Sequence, residues 1–191
     1  MTAGVMADLA ASGYEVASVA DLRSSGTRYR SAVPVLLGWL GRVESTFEKE
    51  EIVRALSVPW ARDEALGPLI DAFRTVPRDG DQAEELLRWA IGNALEVLWD
   101  DSRFDELVSL ARDESFGKAR EMVVLGIGRS KRPAAGDVLI QLLDDPVVSG
   151  HAVKALRRLQ VSAARAGLER MLDDDRAWVR MEAQRALAAL A

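Results

Sequence analysis

Cysteine is absent from this 191-residue chain, and histidine occurs once, at His151. The first absence excludes disulfides, thiolate metal sites, iron–sulfur clusters and cysteine nucleophiles together. The second excludes paired-histidine metal sites and histidine relays. No apolar run approaches the roughly 20 residues needed to cross a bilayer. The N-terminal stretch MTAGVMADLAASGYEV has no positively charged opening, and Asp8 interrupts its apolar part, so a signal peptide is not expected and a cytoplasmic location is. Positive charge is also in short supply: 25 Lys and Arg stand against 30 Asp and Glu, a formal net of −5, which argues against a generally basic nucleic-acid binder. GxSxG, Walker A and GxGxxG patterns are missing. These absences point away from an enzyme, and no cofactor or metal is expected.

What remains is ample for a folded core, with 49% hydrophobic and 29% charged residues in 20.9 kDa, the size of one ordinary domain and not the composition of a disordered chain. Apolar positions recur three and four residues apart throughout, which predicts helices everywhere. The chain also aligns with itself. GLERMLDDDRAWVRMEAQRALAAL, from Gly167 to Leu190, sets beside VLIQLLDDPVVSGHAVKALRRL, from Val138 to Leu159: Leu168 falls on Leu139, Leu172 on Leu143, and Val179, Ala183, Ala186 and Leu187 on Val148, Ala152, Ala155 and Leu156. Each copy reads as a helix, an Asp-rich turn and a second helix, with Pro146 where a first-turn proline is harmless. The second-helix pattern V-R-x-x-A-x-x-A-L recurs upstream as LRWAIGNAL and more weakly as AREMVVLGIG and EKEEIVRAL. Its landmarks Leu56, Leu95, Ile127, Leu156 and Leu187 are 39, 32, 29 and 31 residues apart, the first interval stretched by the loop from Val76 to Gln82.

This pattern resembles the HEAT repeat, particularly the short variety of about thirty residues found in bacterial proteins and in phycobilin lyases. The resemblance runs from about Ser31 to Ala191. It implies an all-α, right-handed α-solenoid of about five helical hairpins. Family-typical features are the first-helix prolines Pro34 and Pro68, and an Asp before the second helix with an Arg inside it, best matched by Asp174 or Asp175 with Arg180. Arg88, Arg120 and Lys49 retain the cation. Ser149 departs from it, so an Asp–Arg ladder is expected to break there.

A thirty-residue hairpin cannot bury its own apolar stripe, so stability must come from neighbouring copies. Ala94, Ala155 and Ala186, with Ala152 and Ala183 a turn earlier, allow close approach, while Leu36, Leu37, Leu107, Leu139 and Leu168 supply bulk. Ser45 with Glu48 and Asp81 with Glu84 are spaced as capping boxes. Gly13 closes the first of two shorter helices, roughly residues 3–12 and 16–24. Residues 1–30 are thus expected to form an N-terminal helical cap on repeats spanning 31–191, one domain overall.

Three constellations suggest chemistry and are better explained by structure. Asp173 to Asp175, Asp144 with Asp145, and Asp100 with Asp101 recur in the same inter-helix turn, where Asp caps the following helix, and they lack the spaced ligands of a calcium loop. Glu50 with Glu51 and Glu84 with Glu85 point about 100° apart on a helix. GRSKRPAAG, from Gly128 to Gly136, is a basic loop without the strand or spacing of a phosphate-binding loop.

The outward side of the second helices is more informative. Counting from the Val position as zero, offsets 2, 5, 6 and 9 are expected to lie opposite the core. They give Glu50 and Arg54; Trp89, Asn93 and Glu96; Glu121; Lys154 and Arg157; Met181 and Arg185. An exposed Trp among Arg, Asn and Met has the composition of a binding surface. The candidate partner-binding residues are therefore Arg54, Trp89, Asn93, Lys154, Arg157 and Arg185, on the concave face of a non-enzymatic scaffold for a protein or peptide, with the cations favouring an acidic segment. The other tryptophans, Trp39, Trp60, Trp99 and Trp178, are expected to fill gaps between repeats. Two alternatives stand behind this reading. One is a nucleic-acid binder similar to HEAT-like DNA glycosylases, weakened by 15 cationic against 16 anionic residues from Glu96 onward. The other is a bilin-lyase-like chromophore handler, which rests on fold analogy alone.

Overall fold

The computed structural model describes residues 3–78 and 80–190. Among them are twelve α-helices and no strand, as the period of the apolar residues requires. The chain divides into two compact units, Met1–Leu98 and Trp99–Ala191.

The first unit holds α1 (Ala3–Ala11), α2 (Val19–Ser24), α3 (Val33–Leu40), α4 (Thr46–Leu56), α5 (Arg62–Thr75) and α6 (Gln82–Val97). The pairs α3/α4 and α5/α6 are hairpins, and α4 packs along α6. The N-terminal helices continue this arrangement, with α1 against α3 and α2 against α4, the Trp39 indole donating to Asp8 at 2.8 Å. Gly13, at φ 92°, ends α1: its N–H bonds the Ala10 carbonyl at 2.9 Å and that of Tyr14 bonds the Leu9 carbonyl at 2.9 Å, which satisfies the last free carbonyls. The second helix starts at Val19 and not near residue 16, because the Ser18 hydroxyl caps it by accepting from the Asp21 N–H at 3.0 Å. Pro34 occupies the first turn of α3, whereas Pro68 lies inside α5.

The second unit holds α7 (Phe104–Arg112), α8 (Arg120–Ile127), α9 (Ala134–Gln141), α10 (Ser149–Leu159), α11 (Arg165–Arg170) and α12 (Ala177–Ala188). They form three hairpins, and α10 lies between α8 and α12. Pro146 falls in the turn before α10, outside its first helical turn.

The repeat landmarks sit where the alignment places them. Ile52, Ala55 and Leu56, then Ile91, Ala94 and Leu95, then Val123 and Ile127, then Ala152, Ala155 and Leu156 are all buried, as are Ala183 and Ala186. Leu187, on the last second helix, is half-buried. The expectation for offset 5 is corrected: Val53, Gly92, Val124 and Val153 are buried, and at offset 9 so is Glu96, at 8% exposure. Within the units, α4 meets α3 and both α2 and α6, and α10 meets α9 and both α8 and α12, so the buried arc of each is wider than a single stripe.

The arginines inside the second helices satisfy carbonyls left over where the preceding segment ends. Arg88 donates to Val76 and Pro77, Arg120 to Ala111 and Gly117, and Arg180 to Asp174 and Asp175. In α10, where Ser149 replaces the cation, Arg176 from the next repeat reaches back to the Pro146 carbonyl at 2.8 Å and the Ser149 hydroxyl at 2.6 Å. The Asp-rich turns also differ from expectation. The carboxylates of Asp100, Asp145 and Asp174 accept from the N–H two residues on, at 2.8–2.9 Å, and so brace the turn; α10 and α12 have no side-chain cap of their own.

Candidate functional site

The phase of α6 is set by its first turn. Asp81 accepts from the Glu84 N–H at 3.0 Å while the Glu84 carboxylate accepts from the Asp81 N–H at 3.0 Å, a complete capping box. With the start fixed, Leu87, Ile91, Ala94 and Leu95 turn inward, and Trp89, two residues after Leu87, turns out to 40% exposure. Its carbonyl accepts from the Asn93 side-chain amide at 2.9 Å, which orients that amide one turn further along. On α4 the Arg54 guanidinium is held by Glu50, with Nε and Nη2 at 2.9 and 2.5 Å from one carboxylate oxygen.

Arg54, Trp89 and Asn93 line one hollow of about 340 Å³, together with Ala90 and Glu96. The structure thus brings three of the six candidate residues to one place. Sequence reasoning missed the other side of this hollow, formed by Arg23, Ser57 and Val97. Arg23 enters because α2 packs against α4. The signal for it was the succession of α1 and α2, packed on α3 and α4 in turn, which lacks the V-R-x-x-A pattern and so escaped the alignment. A second hollow of the same unit, about 440 Å³, has apolar walls from Leu37, Leu40, Ala72 and Ile91, with Lys49 and Glu84 also lining it.

The other three candidates lie in the second unit. Arg157 Nε stands 3.1 Å and Arg185 Nη1 2.7 Å from opposite oxygens of Glu182, a carboxylate 10% exposed. The pair of cations thus shares one half-neutralising acid. Lys154 points its ammonium at the Trp178 ring, 5.0 Å from the centroid, and His151 meets the same ring edge-on at 5.6 Å. Burial pushes the His151 imidazole down to about 4, helped by the charges of Lys154 and Arg176, so the ring is neutral near pH 7. Burial raises the Glu121 carboxyl, against the lowering pull of Lys118 and Arg176.

The remaining motifs have structural partners. The basic loop after α8 docks on Asp101, which accepts from the Lys131 N–H at 2.8 Å, while Arg132 lies over the Phe104 ring at 5.3 Å. Trp99 is buried, and Trp60 meets Tyr29 edge-on at 5.7 Å. No cluster of three or more His, Asp or Glu in metal-holding arrangement occurs among the described residues. No helix among them is long and apolar enough to cross a membrane. The net charge is unevenly placed: residues 1–98 carry ten Lys and Arg against fifteen Asp and Glu, whereas residues 99–191 carry fifteen of each.

Residues 104–188, the stretch from the start of α7 to the end of α12, match the family model for HEAT repeats. No curated protein matches the chain.

Proposed function

We propose that this chain, whose residues 104–188 match the family model for HEAT repeats, is a non-enzymatic interaction module that docks a protein or peptide at the hollow of α4 and α6. HEAT repeats commonly mediate protein–protein interaction. The observation that carries the site is Trp89: a helix that buries the arginine before it and the alanine after it holds this indole 40% exposed, beside Arg54 and Asn93. Exposed Trp and Arg around a concavity is the composition of an interface centre. In the second unit Lys154, Arg157 and Arg185 are the corresponding candidate contacts, the latter two already leaning on Glu182.

Trp89→Ala tests the reading. As an anchor, its loss weakens the complex by at least about 2 kcal/mol with little change in melting; as a packing residue it costs about 3–5 kcal/mol of stability. Partner captured from the native cell extract by the wild type, then titrated against both proteins, gives the first number, and thermal unfolding gives the second. Equal affinity for both proteins would end the assignment.

A further inference from the structure

Resting on that docking reading, we propose that the segment bound by the first unit is a cationic amphipathic helix, whose apolar side covers Phe47, Leu86 and Trp89 and whose lysines or arginines meet the acids around them. The argument starts from equivalent positions. Phe47 and Leu86 each stand one residue before the Val position of their repeat; Glu50 and Trp89 stand two after it, Arg54 and Asn93 six after it. Residues spaced by three and seven form one ridge on each helix. The two helices pack along each other, and the ridges meet where Arg54 lines one hollow with Trp89 and Asn93.

Along these ridges the large apolar side chains face solvent, Phe47 at 68%, Leu86 at 49% and Trp89 at 40%. Two adjacent amphipathic helices with three such residues offer a groove for the apolar side of another helix. The ground around them is negative. Segments 44–51 and 81–85 hold seven acidic residues and one cation, Lys49. Of the arginines further along, Arg54 is held by Glu50, Arg88 is 3% exposed with its guanidinium turned to the Val76 and Pro77 carbonyls, and Arg23 lines the far side of the hollow at Trp89, where Glu96 offsets it. Capping accounts for Asp81 and Glu84. It does not account for Glu44 and Glu51, whose carboxylates make no hydrogen bond or ion pair among the described residues. The sign therefore opposes the acidic partner that the counted cations suggested, because Arg54, Arg157 and Arg185 are already engaged by the chain's own carboxylates and Lys154 faces the Trp178 ring. Complementary charge steers encounter and selects partners.

The test uses three labelled peptides of about sixteen residues and the full chain: Leu and Lys in helical amphipathic order, the same order with Glu for Lys, and the Leu/Lys composition scrambled. Anisotropy titrations at low and physiological salt are expected to show the ordered Lys peptide binding at least tenfold tighter than either other peptide, with salt weakening it. Phe47→Ser and Leu86→Ser, at exposed positions, are each expected to weaken it severalfold while melting stays unchanged, and Glu51→Lys to weaken it further. Trp89-dependent binding of the Glu peptide would overturn the cationic partner and leave the docking reading standing. Lys-peptide binding indifferent to Leu86 and Trp89 would overturn the site. Absence of binding by all three peptides would overturn the proposal, with capture of a native partner by the wild type and not by Trp89→Ala then preserving the docking reading alone. Self-association of the chain that Leu86→Ser dissolves would make the occupant a second copy and overturn it as well.

Discussion

Replacing Arg120 by Met probes the contact that ties one repeat to the next. Arg120 is 1% exposed, and its guanidinium donates to the Ala111 carbonyl at 3.1 Å, the Gly117 carbonyl at 3.1 Å and the Asp145 carboxylate at 2.7 Å. Met fills most of the same volume and none of the hydrogen bonds, so packing changes little while a carboxylate with 13% of its side chain exposed loses its counter-charge. Removing one member of a buried ion pair costs about 3–5 kcal/mol, more than the pair contributes over an apolar substitute, because the partner stays behind uncompensated. The loss has a pH signature. Burial pushes the Asp145 carboxyl up, but the hydrogen bonds from Arg120 and the Val147 N–H and the Arg120 charge outweigh it and hold the group below its ordinary value. A depressed carboxyl stabilises the fold above the unfolded pKa of about 3.9 and loses that contribution as pH falls through the folded value. The gap between wild type and Arg120→Met is therefore expected to be constant above about pH 5 and to shrink below about pH 4. Urea unfolding followed by circular dichroism at several pH values measures it. A gap under about 1 kcal/mol, or one that does not narrow in acid, would refute the assignment of the pair as a coupling element.

Gly150→Ala is expected to cost about 1–3 kcal/mol through overpacking, since a Cβ there would stand 2.2 Å from Trp178 Cη2 and 2.8 Å from Val179 Cγ2. Urea unfolding gives the cost and the indole resonance of Trp178 the displacement, and an unchanged resonance would contradict the close approach. The chain is expected to lose stability as pH falls from about 6.5 toward 4, because the unfolded His151 takes up its proton near 6.5 and the folded imidazole, buried and facing Lys154 and Arg176, takes it up near about 4. His151→Gln should remove that part of the slope in urea midpoints between pH 7.5 and 5. An unaltered slope would place the proton uptake elsewhere.

The helices and their burial were legible because they follow from local rules. Period, the Asp81–Glu84 capping box and the Gly13 stop act over a few residues, and a repeat copies its contacts along with its sequence. Exposure of Trp89 followed from register alone. Less legible was how much of each second helix the neighbours cover, which buried Val53, Gly92, Val124 and Val153 against the single-stripe expectation. Charge pairing was least legible: Arg157 and Arg185 meet at Glu182 only because α10 and α12 lie side by side, a contact between residues 25 positions apart that no local rule announces.

The break at Ser149 shows how a repeat can keep a function while losing the residue that marks it. What the position needs is a donor for the carbonyl ahead of the second helix, because a buried acceptor left without one costs about 1–3 kcal/mol. In α8 the helix supplies that donor itself through Arg120; in α10 it comes from Arg176, one repeat later, which also pairs with Asp174 at 2.8 Å. That pairing, with the hydrogen bonds of Asp174 to the Arg176 side chain and backbone, holds the Asp174 carboxyl below its usual range and fixes the guanidinium that reaches Pro146. The two arginines thus couple the repeats in opposite directions. Arg120 reaches forward to Asp145, and Arg176 reaches back to Ser149. The selection that the chemistry imposes is on the satisfied carbonyl and not on the position of the cation, so a strict Asp–Arg spacing undercounts the repeats that carry the contact.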